Sequence, residues 1–173
     1  MQNDAEAYFL INQDPQVIEF LRGSLTMQQV CDFILAANKH QDELGYTLFA
    51  AELKESEQLI GFIGLCHTDY FFPEYGTSAV EVGWRLGSQY WNKGYATEGA
   101  KACLEYGWNR VGLSEIIAFT VPANLRSLRV MERIGMIRDL NGDFAHPKLE
   151  PDHRLSKHVL YRIQDRQSLE LRS

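Results

Sequence analysis

No apolar run in the 173 residues reaches the length of a membrane-spanning helix, and no basic, apolar leader opens the chain. The expectation is a cytoplasmic protein with no membrane partner. Cysteine is scarce. Cys31, Cys66 and Cys103 show neither metal-ligand nor redox spacing, so no metal site is expected. Each falls in an apolar pattern, which reads as a buried free thiol in a reducing compartment. Positive charge is also short: 17 Lys and Arg against 23 Asp and Glu leave a formal net charge of −6. That disfavours a nucleic-acid partner and mildly favours a cationic one, such as an amine, beside the plain reading of solubility. Internal repeats, low-complexity tracts and linkers are missing too. The chain reads as one domain over 1–173, with a core of about 4–164, long enough to bury a sizeable interior.

What is present alternates helices with strands. A short helix from Asp4 stops before Asp14-Pro15, and Pro15 opens another through Phe20-Leu21. Thr26 caps a longer helix whose apolar face is Val30, Phe33, Ile34 and Ala37, and Gly45 ends the connection. Strands are expected over Tyr46–Leu53 and from Leu59 through Cys66, joined by the polar turn Lys54–Gln58 into a hairpin. Gly61 and Gly64 there predict a close approach or a bulge. The aromatic stretch Tyr70–Thr77 is a loop, either a flap on the core edge or a wall of a binding pocket. Ile116–Val121 reads as a buried strand stopped by Pro122, and Asn124 opens a helix to Ile134. In the tail, Met136 to about Pro147 contains a turn at Asn141-Gly142-Asp143, and Lys157–Gln164 alternates as a strand. This order is mixed α/β, with hairpins and one βαβ crossover from Glu81 to Val121.

One stretch organises the rest. Ala79 to Leu86 alternates as a strand, Gly87, Ser88, Asn92 and Gly94 are turn and cap residues, and from Tyr95 the helical period takes over. A glycine-bearing loop that ends in a helix N-terminus offers unpaired backbone N–H groups and the positive end of a dipole. That is an anion site suited to phosphate, or simply a closely packed helix cap.

The residues Trp91-Asn92-Lys93-Gly94-Tyr95-Ala96-Thr97-Glu98, with Asn124-x-x-Ser127 and Met131-Glu132-Arg133-Ile134-Gly135-Met136 behind them, resemble the GNAT N-acetyltransferase superfamily over most of the chain. The nearest branch in character includes the ribosomal-protein N-terminal (alanine/serine) acetyltransferases. Gly94 and Ala96 match the superfamily loop Gln/Arg-x-x-Gly-x-Gly/Ala, and Trp91 stands at its first position, as is usual in this branch. The resemblance implies a twisted, mostly antiparallel mixed sheet flanked by helices. It also implies acetyl-CoA as acyl donor and direct attack by a primary amine in a ternary complex. In relatives, acyl-CoA lies where the strands at Glu81–Leu86 and Ile116–Val121 splay apart. A strand that precedes the first helix in relatives has no counterpart here.

The same resemblance suggests roles. The backbone from Asn92 to Thr97 would take the pyrophosphate, with the Thr97 hydroxyl and Lys93 charge adding to it. The backbone of Trp84, Arg85 and Leu86 would pair with the pantetheine arm, and the Asn124 side chain would bond that arm or cap its helix. Where many members place a tyrosine acid stands Met131, which has no proton to give. Ser127, or less directly Tyr161, is then the candidate donor to the leaving sulfur. Glu81 matches an acidic position that in several relatives deprotonates the amine through water. Its plainer reading is a solvated or ion-paired strand residue. His67, His146, His153 and His158 are alternative bases, since histidine titrates near neutrality. The acceptor is a protein N-terminus or a small amine, the assembly a monomer or homodimer. A non-catalytic acyl-CoA-binding module is the alternative function.

Overall fold

The computed structural model describes residues 2–68 and 79–165. The expected aromatic loop at 70–77 and the tail beyond Asp165 lie outside the described residues. The first described element is α1 (Gln2–Ile11). Asp14 caps α2 (Pro15–Ile18), which ends earlier than the expected Phe20-Leu21, accepting from the Gln16 N–H. Helix α3 (Met27–Leu44) opens on a reciprocal capping box. The Thr26 hydroxyl accepts from the Gln29 N–H at 3.2 Å, and the Gln29 side chain accepts from the Thr26 N–H at 2.9 Å. Gly45 closes it in the left-handed conformation.

Six strands form a mixed sheet in the order β1-β2-β3-β4-β6-β5. They are β1 (Leu48–Glu52), β2 (Leu59–Thr68), β3 (Ala79–Leu86), β4 (Glu115–Thr120), β5 (Ile137–Ala145) and β6 (Lys157–Gln164). Strands β1 and β2 are antiparallel, as are β4/β6 and β5/β6, while β3 and β4 run parallel with Glu81 opposite Ile117. The crossover between β3 and β4 is α4 (Tyr95–Tyr106), which loosens into a π-turn over Gly107–Val111 and ends at left-handed Gly112. After β4 comes α5 (Leu125–Arg133).

The chain divides into two compact units, Met1–Gly64 with Gly83–Ala100, and Leu65–Val82 with Lys101–Ser173. The first is centred on buried Tyr8, Val30 and Phe62, with Phe33, Ile34 and Leu48 packed around them. Rings of Tyr8, Phe33 and Phe62 lie 5.2–5.7 Å apart by centroid. In this unit both strand glycines are close approaches, as expected. A Cβ on Gly61 would sit 2.0 Å from the Arg85 carbonyl oxygen, and one on Gly64 would sit 2.0 Å from that of Thr47. The second unit is centred on Ile117 and Leu160, with Ala79, Phe119 and Phe144 against them.

Two expectations need correction. Asn141-Gly142-Asp143, expected as a turn, lies inside strand β5. The register with β6 steps from Asp139↔Leu160 to Phe144↔His158, a bulge that Asp139 stabilises by accepting from the Asn141 N–H at 3.0 Å. The cysteines form no disulfide, and all three are half-buried where full burial was expected.

Candidate active site

In the first unit, β3 delivers the chain into the turn that sequence reading singled out. The Gly87 N–H bonds the Ile60 carbonyl at 2.9 Å, and the Arg85 carbonyl presses on Gly61, so Arg85 and Gly87 face β2. By strand alternation the backbone groups of Trp84 and Leu86 face the opposite way. A tight turn over Ser88–Tyr90 follows. The Trp91 indole N–H then returns to the Leu86 carbonyl at 2.8 Å and ties the loop to the strand it has just left. Asn92 (φ +60°) and Gly94 (φ +89°) take left-handed conformations. Lys93 holds its ammonium 5.8 Å from the centre of the buried Tyr90 ring.

The first helical bond of α4 runs from the Glu98 N–H to the Gly94 carbonyl at 2.9 Å. The amides of Tyr95, Ala96 and Thr97 therefore have no carbonyl partner within the helix. Gly94 has no side chain to cap them, and nothing lies within 4 Å of where its Cβ would be. A backbone cradle that is cationic, uncapped and open suits a diphosphate.

Arg85 sends its side chain to α1, a role that sequence reading missed. Its Nη1 donates to the Tyr8 hydroxyl at 3.1 Å and to Asn12 Oδ1 at 2.7 Å, and its guanidinium carbon lies 5.5 Å from the Phe62 ring centre. The Asn12 amide also donates to the Tyr8 carbonyl at 2.7 Å. Ser88 Oγ donates to Asp14, joining the corner between α1 and α2 to the turn after β3.

The second unit holds the candidate chemical groups. Burial raises the Glu81 carboxyl from 4.5 to about 8, with no opposing charge to bring it down. Asn124 is fully engaged. Its Oδ1 accepts from the Ser127 N–H at 3.3 Å, while its Nδ2 donates to Thr120 Oγ1 and Ser127 Oγ, both at 3.1 Å. It is thus the cap of α5. In that arrangement Ser127 Oγ is an acceptor and its own proton is left to donate elsewhere. Met131 is buried in the core. Tyr161 is buried in β6 and donates its hydroxyl to Glu132. Burial, Glu132's charge and that hydrogen bond all push its pKa up, making it a weaker acid.

Of the histidines, the structure brings His146 and His158 together, with ring centres 5.1 Å apart. His158 stacks on Phe144 and meets the edge of Phe119. Its Nδ1–H donates to the Ser156 carbonyl at 3.1 Å, and burial, outweighing that bond, lowers its pKa and favours the neutral ring with Nε2 as the acceptor. His153 stands apart in the connection to β6, its Nδ1 accepting from the Leu155 N–H. His67 is half-buried in β2. Among the described residues no group of three or more His, Cys, Asp or Glu is placed to hold a metal ion. Nor is any helix among them long and apolar enough to cross a membrane.

Residues 1–137 match the family model described as an acetyltransferase (GNAT) domain. The chain is similar to the uncharacterized N-acetyltransferase YnaD of Bacillus subtilis, 34% identical over 137 residues that cover 79% of this chain and 75% of that one. It is also similar to a GNAT-family acetyltransferase structure from Bacillus anthracis, at 32% identity and TM-score 0.72, covering 95% of this chain and 90% of that one. A ribosomal-protein-S5-alanine acetyltransferase from Vibrio fischeri shares the fold at 18% identity and TM-score 0.68, over 94% and 90% of the two chains. The turn into α4, the mixed six-stranded sheet and these matches agree: the chain belongs to the GNAT family of acetyl-CoA-dependent N-acetyltransferases.

Proposed function

We propose that the chain works as one catalytic domain over 1–173, with a core of about 4–164, and moves the acetyl group of acetyl-CoA to a primary amine by direct attack in a ternary complex. The uncapped opening of α4 carries this reading. Its amides at Tyr95, Ala96 and Thr97, with the backbone of Asn92 to Gly94, bind the donor's diphosphate, and the Thr97 hydroxyl and Lys93 add to it. Trp91 keeps the loop in that shape. The outward backbone of Trp84 and Leu86 pairs with the peptide-like amides of the donor arm, and Arg85 between them fixes the strand. One of the two lone pairs on the Leu86 carbonyl is committed to the Trp91 indole and the other is left for the arm.

Glu81 is the proton acceptor in this reading. A carboxyl at about 8 is matched to an amine far better than one at its usual value, since base strength and available fraction are balanced near the working pH. Ser127 gives its uncommitted proton to the departing sulfur, and Asn124 fixes it for that by donating to its oxygen. Tyr161 is the lesser donor, its hydroxyl being turned to Glu132. His158, neutral and held by Ser156, is the alternative base. The acceptor is a protein N-terminus or a small amine, and the site of action is the cytoplasm.

Met131, buried where many family members carry a tyrosine acid, favours one other reading, a module that binds acyl-CoA without turnover. Release of free CoA thiol over a panel of peptides, polyamines, amino acids and aminoglycosides separates the two. The enzyme reading expects at least one amine to raise release well above hydrolysis. Clear acetyl-CoA binding with no amine-dependent release across the panel would establish the binding module instead.

A further inference from the structure

Arg85 is a cation that the first unit positions with care and does not neutralise. Its three described partners are the Tyr8 hydroxyl, the Asn12 carboxamide oxygen and the Phe62 ring, all uncharged. Asn12 is fully buried, and its side-chain amide donates to the Tyr8 carbonyl, bracing α1. Tyr8 is 4% exposed. The acid on the same corner, Asp14, is committed to the Ser88 hydroxyl and the Gln16 N–H. A buried asparagine and tyrosine held in place to orient an arginine form a preorganised setting for an anion that comes from outside.

The geometry of the fork says which kind. Both described hydrogen bonds leave from Nη1. The Nε–Nη2 edge bonds no described residue, and it is not among the polar atoms sealed from solvent without a partner. That edge carries two parallel N–H donors, the arrangement that matches the two oxygens of a carboxylate. The guanidinium carbon lies over the Phe62 ring, 5.5 Å from its centre. The guanidinium hangs from the Trp84–Leu86 backbone proposed for the donor arm, so an anion in the fork would lie beside that arm.

We propose that the Nε–Nη2 edge of Arg85 receives a carboxylate of the acceptor, so that the acceptors of this enzyme are amines that also carry a carboxylate, such as amino acids and short peptides with a free C-terminus. The proposal rests on the acetyltransferase reading and narrows its substrate class. A phosphate of the donor is the other anion that could fill the same fork, and the test separates the two.

Acetylation rates are measured for short peptides and ω-amino acids of increasing length, each paired with its C-terminal amide, on the wild type and on Arg85→Gln and Arg85→Lys. The readout is the ratio of kcat/KM between acid and amide, because the Arg85 backbone lies in the proposed donor strand and absolute rates will move. A charge-assisted bidentate contact predicts a wild-type ratio of about tenfold or more for acids. The ratio should collapse towards one in Arg85→Gln and be only partly kept in Arg85→Lys. Circular dichroism identifies any variant that has not folded, and Arg85→Lys then carries the comparison. Equal use of acids and amides by the wild type, or a ratio that survives Arg85→Gln, overturns the proposal. So does a tenfold loss of CoA affinity in Arg85→Gln with the ratio unchanged, which assigns the fork to a donor phosphate. If no amine turns over, the acetyltransferase reading itself fails. The fork is then judged by the thermal midpoint of the acetyl-CoA complex with added glycylglycine: a rise lost in Arg85→Gln supports it, and no rise in the wild type refutes it.

Discussion

Glu81 keeps a proton at neutral pH because its surroundings take away water and return no cation. The sign of the consequence is fixed. In the unfolded chain the carboxyl ionises near 4.5, whereas in the native state it does so at about 8. Between those values the native state holds a proton that the unfolded state has lost. The stabilising contribution is therefore complete below 4.5 and falls away as the pH climbs to 8, by up to about 1.4 kcal/mol per unit. Glu81→Gln removes that slope. Chemical denaturation at pH 5 and pH 8.5 should show the variant gaining on the wild type at the higher pH. The same variant should lose the inflection near pH 8 in kcat/KM. An unchanged profile would transfer the role of base to a histidine, with His158 first in line. None of this is written at Glu81 in the sequence, where an acid in an alternating strand reads equally as a solvated residue. Desolvation is a property of what packs around a group. Ser127 differs, because its cap at Asn124 is three residues away and local spacing shows it.

At the scale of elements, the same residue type solves two different problems in the first unit. Gly61 (φ +142°) is hydrogen-sided because a neighbouring strand's carbonyl occupies the place of its Cβ. Gly94 (φ +89°) stands in open space and is needed for its backbone angle, in a turn whose amides must point outward. The two should fail differently. Gly61→Ala drives a methyl into backbone that cannot swing aside and should cost more than about 2 kcal/mol in denaturant unfolding. Gly94→Val has room but not the dihedral. It should fold, with stability within about 2 kcal/mol of wild type, and lose at least tenfold in CoA affinity by titration calorimetry. Full affinity in Gly94→Val would remove the loop from the donor site. Sequence reading found both glycines, because each interrupts a pattern. It misread Asn141-Gly142-Asp143 as a turn because the residues that set the register there, Leu160 and His158, belong to the partner strand.

Over the whole molecule, what could be read in advance was whatever the chain encodes within a few residues. The strand, turn and helix from Ala79 to Tyr106 and the helix cap at Thr26 are of this kind. The anchoring of Arg85 is not, since Tyr8 and Asn12 lie 77 and 73 residues away in sequence. Whether the assembled chain holds its donor is a property of the entire native state and can be read as such. Acetyl-CoA at about a hundred times its dissociation constant should add roughly 2.7 kcal/mol to stability and raise the thermal midpoint visibly. No rise at millimolar acetyl-CoA would mean that the chain by itself does not complete the site. The Trp91 indole adds a consequence in time. Its bond to Leu86 ties the loop to the strand before any ligand arrives. On the proposed reading, a nucleotide would enter there by collision and capture, without first having to make that tie. The residence time of the bound molecule, set by how fast it breaks away, is then what limits how quickly the next one can come in.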